Sequence, residues 1–149
     1  MEKPTELYKQ IFDFDSLLKA HRKTKLGKSE NCEVLKFESR REENMIALQN
    51  ELIWHTYQPS LTKKKYITDP KPREIDVPAY RDRVLQQALH SALYPLFDKR
   101  MFYHSYACRI GKGTHSAADT AQKYAQTVSS KGRYYFLKCD IKHCYGSIN

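Results

Sequence analysis

Apolar residues recur at three- and four-residue steps over several separate stretches and alternate well at one place only, which restricts this chain to a mainly helical α+β fold. From Thr5 to Lys19 the face is Leu7, Ile11, Phe14 and Leu18, in a helix that is continuous or interrupted. The basic, glycine-containing run from His21 to Asn31 reads as an exposed connection. From about Glu38 to His55, Met45, Leu48, Leu52 and the neighbouring Ile53 form a stripe opposite Arg40, Arg41, Glu42 and Glu51, with Pro59 as a stop beyond it. From Arg81 onward Leu85, Leu89, Ala92 and Leu96 share a face, and Pro95 marks a break near the end. Thr114 can cap a last helix lined by Ala117, Ala121, Tyr124 and Val128, whose alanines predict close approach by a neighbour.

The β signals are fewer. Thr62–Thr68 and Arg73–Val77 flank the turn-rich Asp69-Pro70-Lys71-Pro72 and predict a hairpin in which Ile75 and Val77 share a face. Tyr134 to Ile141 is aromatic and apolar enough for an inner strand, followed by the turn-prone Tyr145-Gly146-Ser147-Ile148-Asn149.

The 149 residues are one domain's worth of polypeptide, with 40% hydrophobic and 29% charged residues, as in ordinary soluble proteins. No stretch approaches the roughly 20 apolar residues of a membrane span, and Met1-Glu2-Lys3-Pro4 does not open a signal peptide, so no membrane partner and a cytoplasmic location are expected. Cys32, Cys108, Cys139 and Cys144 are scattered, without a Cys-x-x-Cys pair, and read as reduced packing residues. Lysine and arginine number 26 against 17 acidic residues, giving +9 at pH 7, and this balance favours a polyanion, nucleic acid first.

Asp140 stands at the end of the expected inner strand, where a carboxylate is costly to bury unless paired or bound to a cation. A lone aspartate there is more commonly a turn or helix cap. Lys63 and Lys64 suit an edge strand protected by charge. Gly111 and Gly113 bracket Lys112 after Arg109, a basic loop that either approaches a sugar-phosphate chain or is an ordinary connection. Asp82-Arg83 reads as a salt bridge at a helix entry.

The run FLKCDIKHCYGSIN resembles the first catalytic motif of reverse transcriptases, in which a hydrophobic strand delivers a metal-binding aspartate and an aromatic residue follows five positions later. By that resemblance Asp140 binds two Mg²⁺ ions about 3.5–4 Å apart, the carbonyl of Ile141 completes one shell, and the ring of Tyr145 lies under the incoming sugar. The runs DPKPREIDVPAYRDRVLQQAL and FYHSYACRIGKGTH are similar to the fingers of the same family, with Arg73, Val77-Pro78 and Asp82-Arg83 in matching places. The resemblance implies that Arg73 clamps a deoxynucleoside triphosphate with a lysine partner, either Lys71 or Lys65 with a slight preference for Lys71, and that Arg109 and Lys112 touch the RNA template. The wording is most similar to bacterial retroelement enzymes, namely those of diversity-generating retroelements and group II intron maturases.

The implied organisation is an N-terminal extension and fingers region over 1–133 and the start of a palm over 134–149. The family's Tyr-x-Asp-Asp motif is absent from the 149 residues, so the chain is expected to be an N-terminal fragment, inactive alone, of an RNA-directed DNA polymerase that uses RNA template and DNA or RNA primer. An unpaired apolar strand at 134–141 is expected to be disordered, to pair within the chain, or to pair with a second copy in a dimer foreign to the intact enzyme. A non-catalytic RNA- or DNA-binding module is the main alternative. A nuclease using Asp140, His143 and Asp119 is a third.

Overall fold

The structure is a computed structural model that describes residues 4–130 and 132–141. It is α+β, with six helices and one two-stranded antiparallel sheet among the described residues. Two compact units divide it, the first ending at Arg100 and the second beginning at Met101.

In the first unit α1 (Pro4–Phe12) and α2 (Phe14–Lys25) meet at Asp13, whose extended backbone leaves the helix and whose carboxylate accepts from the Ser16 N–H at 3.1 Å. An N-cap therefore makes the interruption. The helix α2 continues past the expected end at Lys19, because Leu17, Ala20 and His21 all face the core and the cations Arg22, Lys23 and Lys25 suit its C-terminal turn. His21 is thus buried, and the exposed connection is limited to 26–31. Asn31 caps a helix not foreseen, α3 (Cys32–Glu38), by accepting from the Glu33 N–H at 2.9 Å. A break at Ser39 and Arg40 then separates it from α4 (Arg41–Ile53). Met45, Leu48 and Leu52 are buried as expected, whereas Ile53, one step off the stripe, is exposed.

The helix α5 (Tyr80–Asp98) carries Pro95 without breaking there. Proline removes one backbone hydrogen bond, and in an exposed last turn that loss is tolerated. Its buried face is Tyr80, Val84 and Ala88, not the expected Leu85, Leu89, Ala92 and Leu96: Leu85 and Ala92 lie half-buried at its margin, and Leu89 and Leu96 are exposed. The small side chains of Ala88 and Ala20 sit in the same core, which suits the close packing of α5 on α2. That core joins Ile11, Leu17, Val34, Phe37, Met45 and Leu48 with their neighbours, and each large apolar side chain removed from water contributes about 2 kcal/mol.

The hairpin forms as expected: β1 (Lys63–Ile67) pairs with β2 (Arg73–Val77), with Lys63 opposite Val77, Lys65 opposite Ile75 and Ile67 opposite Arg73. In the second unit a loop over 101–113 precedes α6 (Thr114–Ser129). Gly113, not Thr114, is the N-cap, since its φ of 122° lies where only glycine is comfortable, and Thr114 becomes the first helical residue. No residue of α6 is buried among the described residues: Ala117 and Ala125 are half-buried and Ala121 is exposed, so the expected close approach by a neighbour is not seen there.

Residues 132–141 are irregular and exposed, and the expected inner strand is not formed. A strand needs a ladder partner, and the sheet among the described residues consists of β1 and β2 alone. Cys32, Cys108 and Cys139 are free thiols, exposed instead of packed.

Candidate nucleic-acid interface

Alternation along the hairpin puts Lys63, Lys65, Ile67, Arg73, Ile75 and Val77 on one face and Lys64, Tyr66, Glu74 and Asp76 on the other. Two of the three consecutive lysines are committed to carboxylates. Lys63 Nζ lies 2.6 Å from Glu33 Oε1, and Lys64 Nζ lies 2.5 Å from Glu74 Oε1. Lys65, Lys71 and Arg73 are exposed and have no acidic partner among the described residues. Lys65 and Arg73 are diagonal neighbours on the same face, a relation that sets such residues about 7–8 Å apart. Lys71 lies in the turn, outside the paired register.

The root of the hairpin is held by a polar network. Glu33 on α3 binds both Lys63 and, at 2.8 Å, the guanidinium of Arg83, and the Lys63 hydrogen bond leads in holding its carboxyl below the ordinary 4.5 against the opposing effect of burial. Asp82, only 3% exposed, accepts from the Tyr57 hydroxyl at 2.8 Å and the Ser60 N–H at 2.9 Å. Burial first, then the bond to Asp82, pushes the Tyr57 hydroxyl up to about 12. Asp82 also lies 3.5 Å from Arg81 Nε, and Arg81 grips Glu51 with two nitrogens at 3.0 and 2.5 Å. The expected Asp82–Arg83 pair is not made: Asp82 is taken up by Tyr57, Ser60 and Arg81, and Arg83 reaches across to Glu33. These contacts pin 57–60, the approach to β1, against the first turn of α5. The roles of Glu33, Glu51 and Tyr57 had no local sequence signal, as their partners lie 25 to 50 residues away.

In the second unit the loop cations turn toward their own loop. Arg109, half-buried, donates from one terminal nitrogen to Phe102 O at 3.1 Å and Ser105 O at 3.0 Å. Lys112 donates to the Tyr103 carbonyl, and its Nζ lies 4.3 Å from the Tyr103 ring centroid and 5.2 Å from that of Tyr106. Both residues brace the loop, a role the sequence did not suggest. His104 ties the loop to α6, with Nδ1 at 3.1 Å from the Tyr106 hydroxyl and Nε2 at 2.9 Å from that of Tyr124.

Asp140 and Ile141 are exposed on the irregular segment, and Tyr145 and His143 lie outside the described residues. Among the described residues no three of histidine, cysteine, aspartate and glutamate gather where a metal could be held. Asp119 is exposed on α6. The described residues alone therefore do not fit the Mg²⁺ pair implied by resemblance, for which one carboxylate is insufficient. No helix among them is long and apolar enough to cross a membrane.

No family model matches the chain. It is similar to the Escherichia coli K12 protein named Protein YkfC, 30% identical over 105 residues, which cover 68% of this chain and 27% of that protein. The chain thus spans little more than a quarter of the curated relative it matches.

Proposed function

We propose that this chain is the fingers region and first catalytic segment of a reverse transcriptase of the bacterial retroelement type, whose whole protein copies RNA into DNA with Mg²⁺ and deoxynucleoside triphosphates. The observation that carries this reading is the hairpin, where Lys65 and Arg73, both exposed, lie on the same face without acidic partners among the described residues while Lys63 and Lys64 are paired. Two neighbouring free cations suit the oxygens of a triphosphate, and the planar fork of Arg73 suits two oxygens at once. The shared face favours Lys65 over Lys71 as the partner of Arg73. Asp140 would hold the metals together with carboxylates outside the described residues, and the metals would supply charge neutralisation at the transferring phosphate. Arg109 and Lys112 support the template side by shaping the loop they brace.

Primer extension on an RNA template tests the reading. The 149-residue chain should incorporate no nucleotide. A longer chain that continues through a Tyr-x-Asp-Asp element should incorporate it, lose kcat with Asp140→Asn, and show mainly a raised nucleotide KM with Arg73→Ala. An active Asp140→Asn variant would remove Asp140 from the chemistry. A non-catalytic nucleic-acid-binding module is the second reading, favoured by the charge of Met101–Asn149, which holds seven lysines and arginines against two aspartates. Inactivity of the longer chain with retained nucleic-acid binding would select it.

A further inference from the structure

The loop between α5 and α6 shows two large rings to solvent at a place otherwise held rigid. Phe102 is 74% exposed and Tyr103 73%, although apolar rings are normally drawn into a core. Neither ring is loose. His104 meets Phe102 edge-on at 5.5 Å and Tyr103 edge-on at 4.9 Å, and the imidazole is itself fixed at both nitrogens by the hydroxyls of Tyr106 and Tyr124. Arg109 holds the Phe102 carbonyl and Lys112 the Tyr103 carbonyl, with the ammonium against the Tyr103 ring. Exposed rings on a braced backbone, in a unit with seven basic and two acidic residues, match a surface for a flat, apolar group carried on a polyanion.

We propose that Phe102 and Tyr103 form a stacking platform for unpaired bases of a single-stranded nucleic acid, whose phosphates are attracted by the net positive charge of the unit. This rests on the nucleic-acid reading above and names which residues meet the bases and how. Every base has an aromatic face, so the platform accepts any sequence, and its preset geometry lowers the ordering cost of binding. Arg109 and Lys112 act as positioning residues, since their donors hold the loop.

The test compares binding of the 149-residue chain, by fluorescence anisotropy at low salt, to a labelled single-stranded DNA of about 12 nucleotides and to the same strand with its central bases removed. A corresponding RNA strand distinguishes which polymer supplies the bases. The intact strand should bind about tenfold more tightly than the abasic one, the order of one base stacked on an aromatic ring. The Phe102→Ala, Tyr103→Ala double variant should lose that difference and keep its affinity for the abasic strand. Phe102→Tyr with Tyr103→Phe should retain the difference, which separates stacking from damage to the loop. Equal binding of intact and abasic strands by the parent chain, or a base preference that survives the alanine variant, would overturn the platform and leave the nucleic-acid reading standing. Absence of binding to any strand would overturn both, and point to a protein surface as the cover for these rings.

Discussion

Asp82 is nearly excluded from solvent yet carries a carboxylate, and its partners explain why that charge is tolerated at the start of α5. It accepts two hydrogen bonds, lies beside the Arg81 guanidinium, and stands in the first turn of a helix, where negative charge is favoured. Asp82→Ala should therefore cost about 3 kcal/mol, because the half-buried Tyr57 hydroxyl and Ser60 N–H lose their acceptor and Arg81 its neighbouring charge. Asp82→Asn keeps an acceptor oxygen and should cost less. Urea unfolding of the two variants measures the order, and equal midpoints for Asp82→Ala and the parent would show that the network does not hold the fold. The sequence marked Asp82-Arg83 as a helix-entry feature and named the wrong partner. Local spacing fixes where a side chain emerges, whereas its partner depends on which distant segment the core brings alongside, here Tyr57 and Glu33.

The same limit reappears in the elements. The hairpin was legible because its turn residues and its alternating second arm both act locally. For α5 a helical period was evident, but two apolar faces overlap along it, and packing with α2 selected the one through Tyr80, Val84 and Ala88. The division of Lys63, Lys64 and Lys65 into committed and uncommitted cations was not legible at all, since it follows from Glu33 and Glu74. That division makes a prediction for the hairpin. With single-stranded RNA, each cation that neutralises a phosphate contributes roughly 0.7 to the slope of log affinity against log salt. The Lys65→Ala, Arg73→Ala double variant should flatten the slope by about 1.4, whereas Lys64→Ala should leave it within error. Salt titration followed by anisotropy reads both values. An equal or larger change from Lys64→Ala would mean that the opposite hairpin face meets the strand.

At the scale of the whole molecule, the first unit owns a core shared by its helices, while α6 of the second buries no residue and the chain beyond it runs irregular and exposed over 132–141. Apolar character in Tyr134–Ile141 was correctly seen in the sequence, and the error was to equate it with a strand. Pairing is a property of two segments, and no segment among the described residues pairs with this one. Tyr135 and Leu137 are each 90% exposed, with Phe136 at 74% and Ile141 at 72%, a density of apolar surface that drives association when unpaired backbone accompanies it. The chain should therefore self-associate as its concentration rises, through this segment and not through the helical core. Sedimentation over a concentration series should show the average mass climbing for the parent chain and staying at 17.6 kDa for a Phe136→Lys, Leu137→Lys variant. High salt should strengthen the association, because it screens repulsion among Arg133, Lys138 and their copies while leaving apolar burial intact. Nucleic-acid binding should persist in the lysine variant, whose substitutions lie outside both the hairpin and the 101–113 loop. A parent chain that stayed at 17.6 kDa throughout would show that 134–141 finds cover within its own chain, and would remove the self-association prediction.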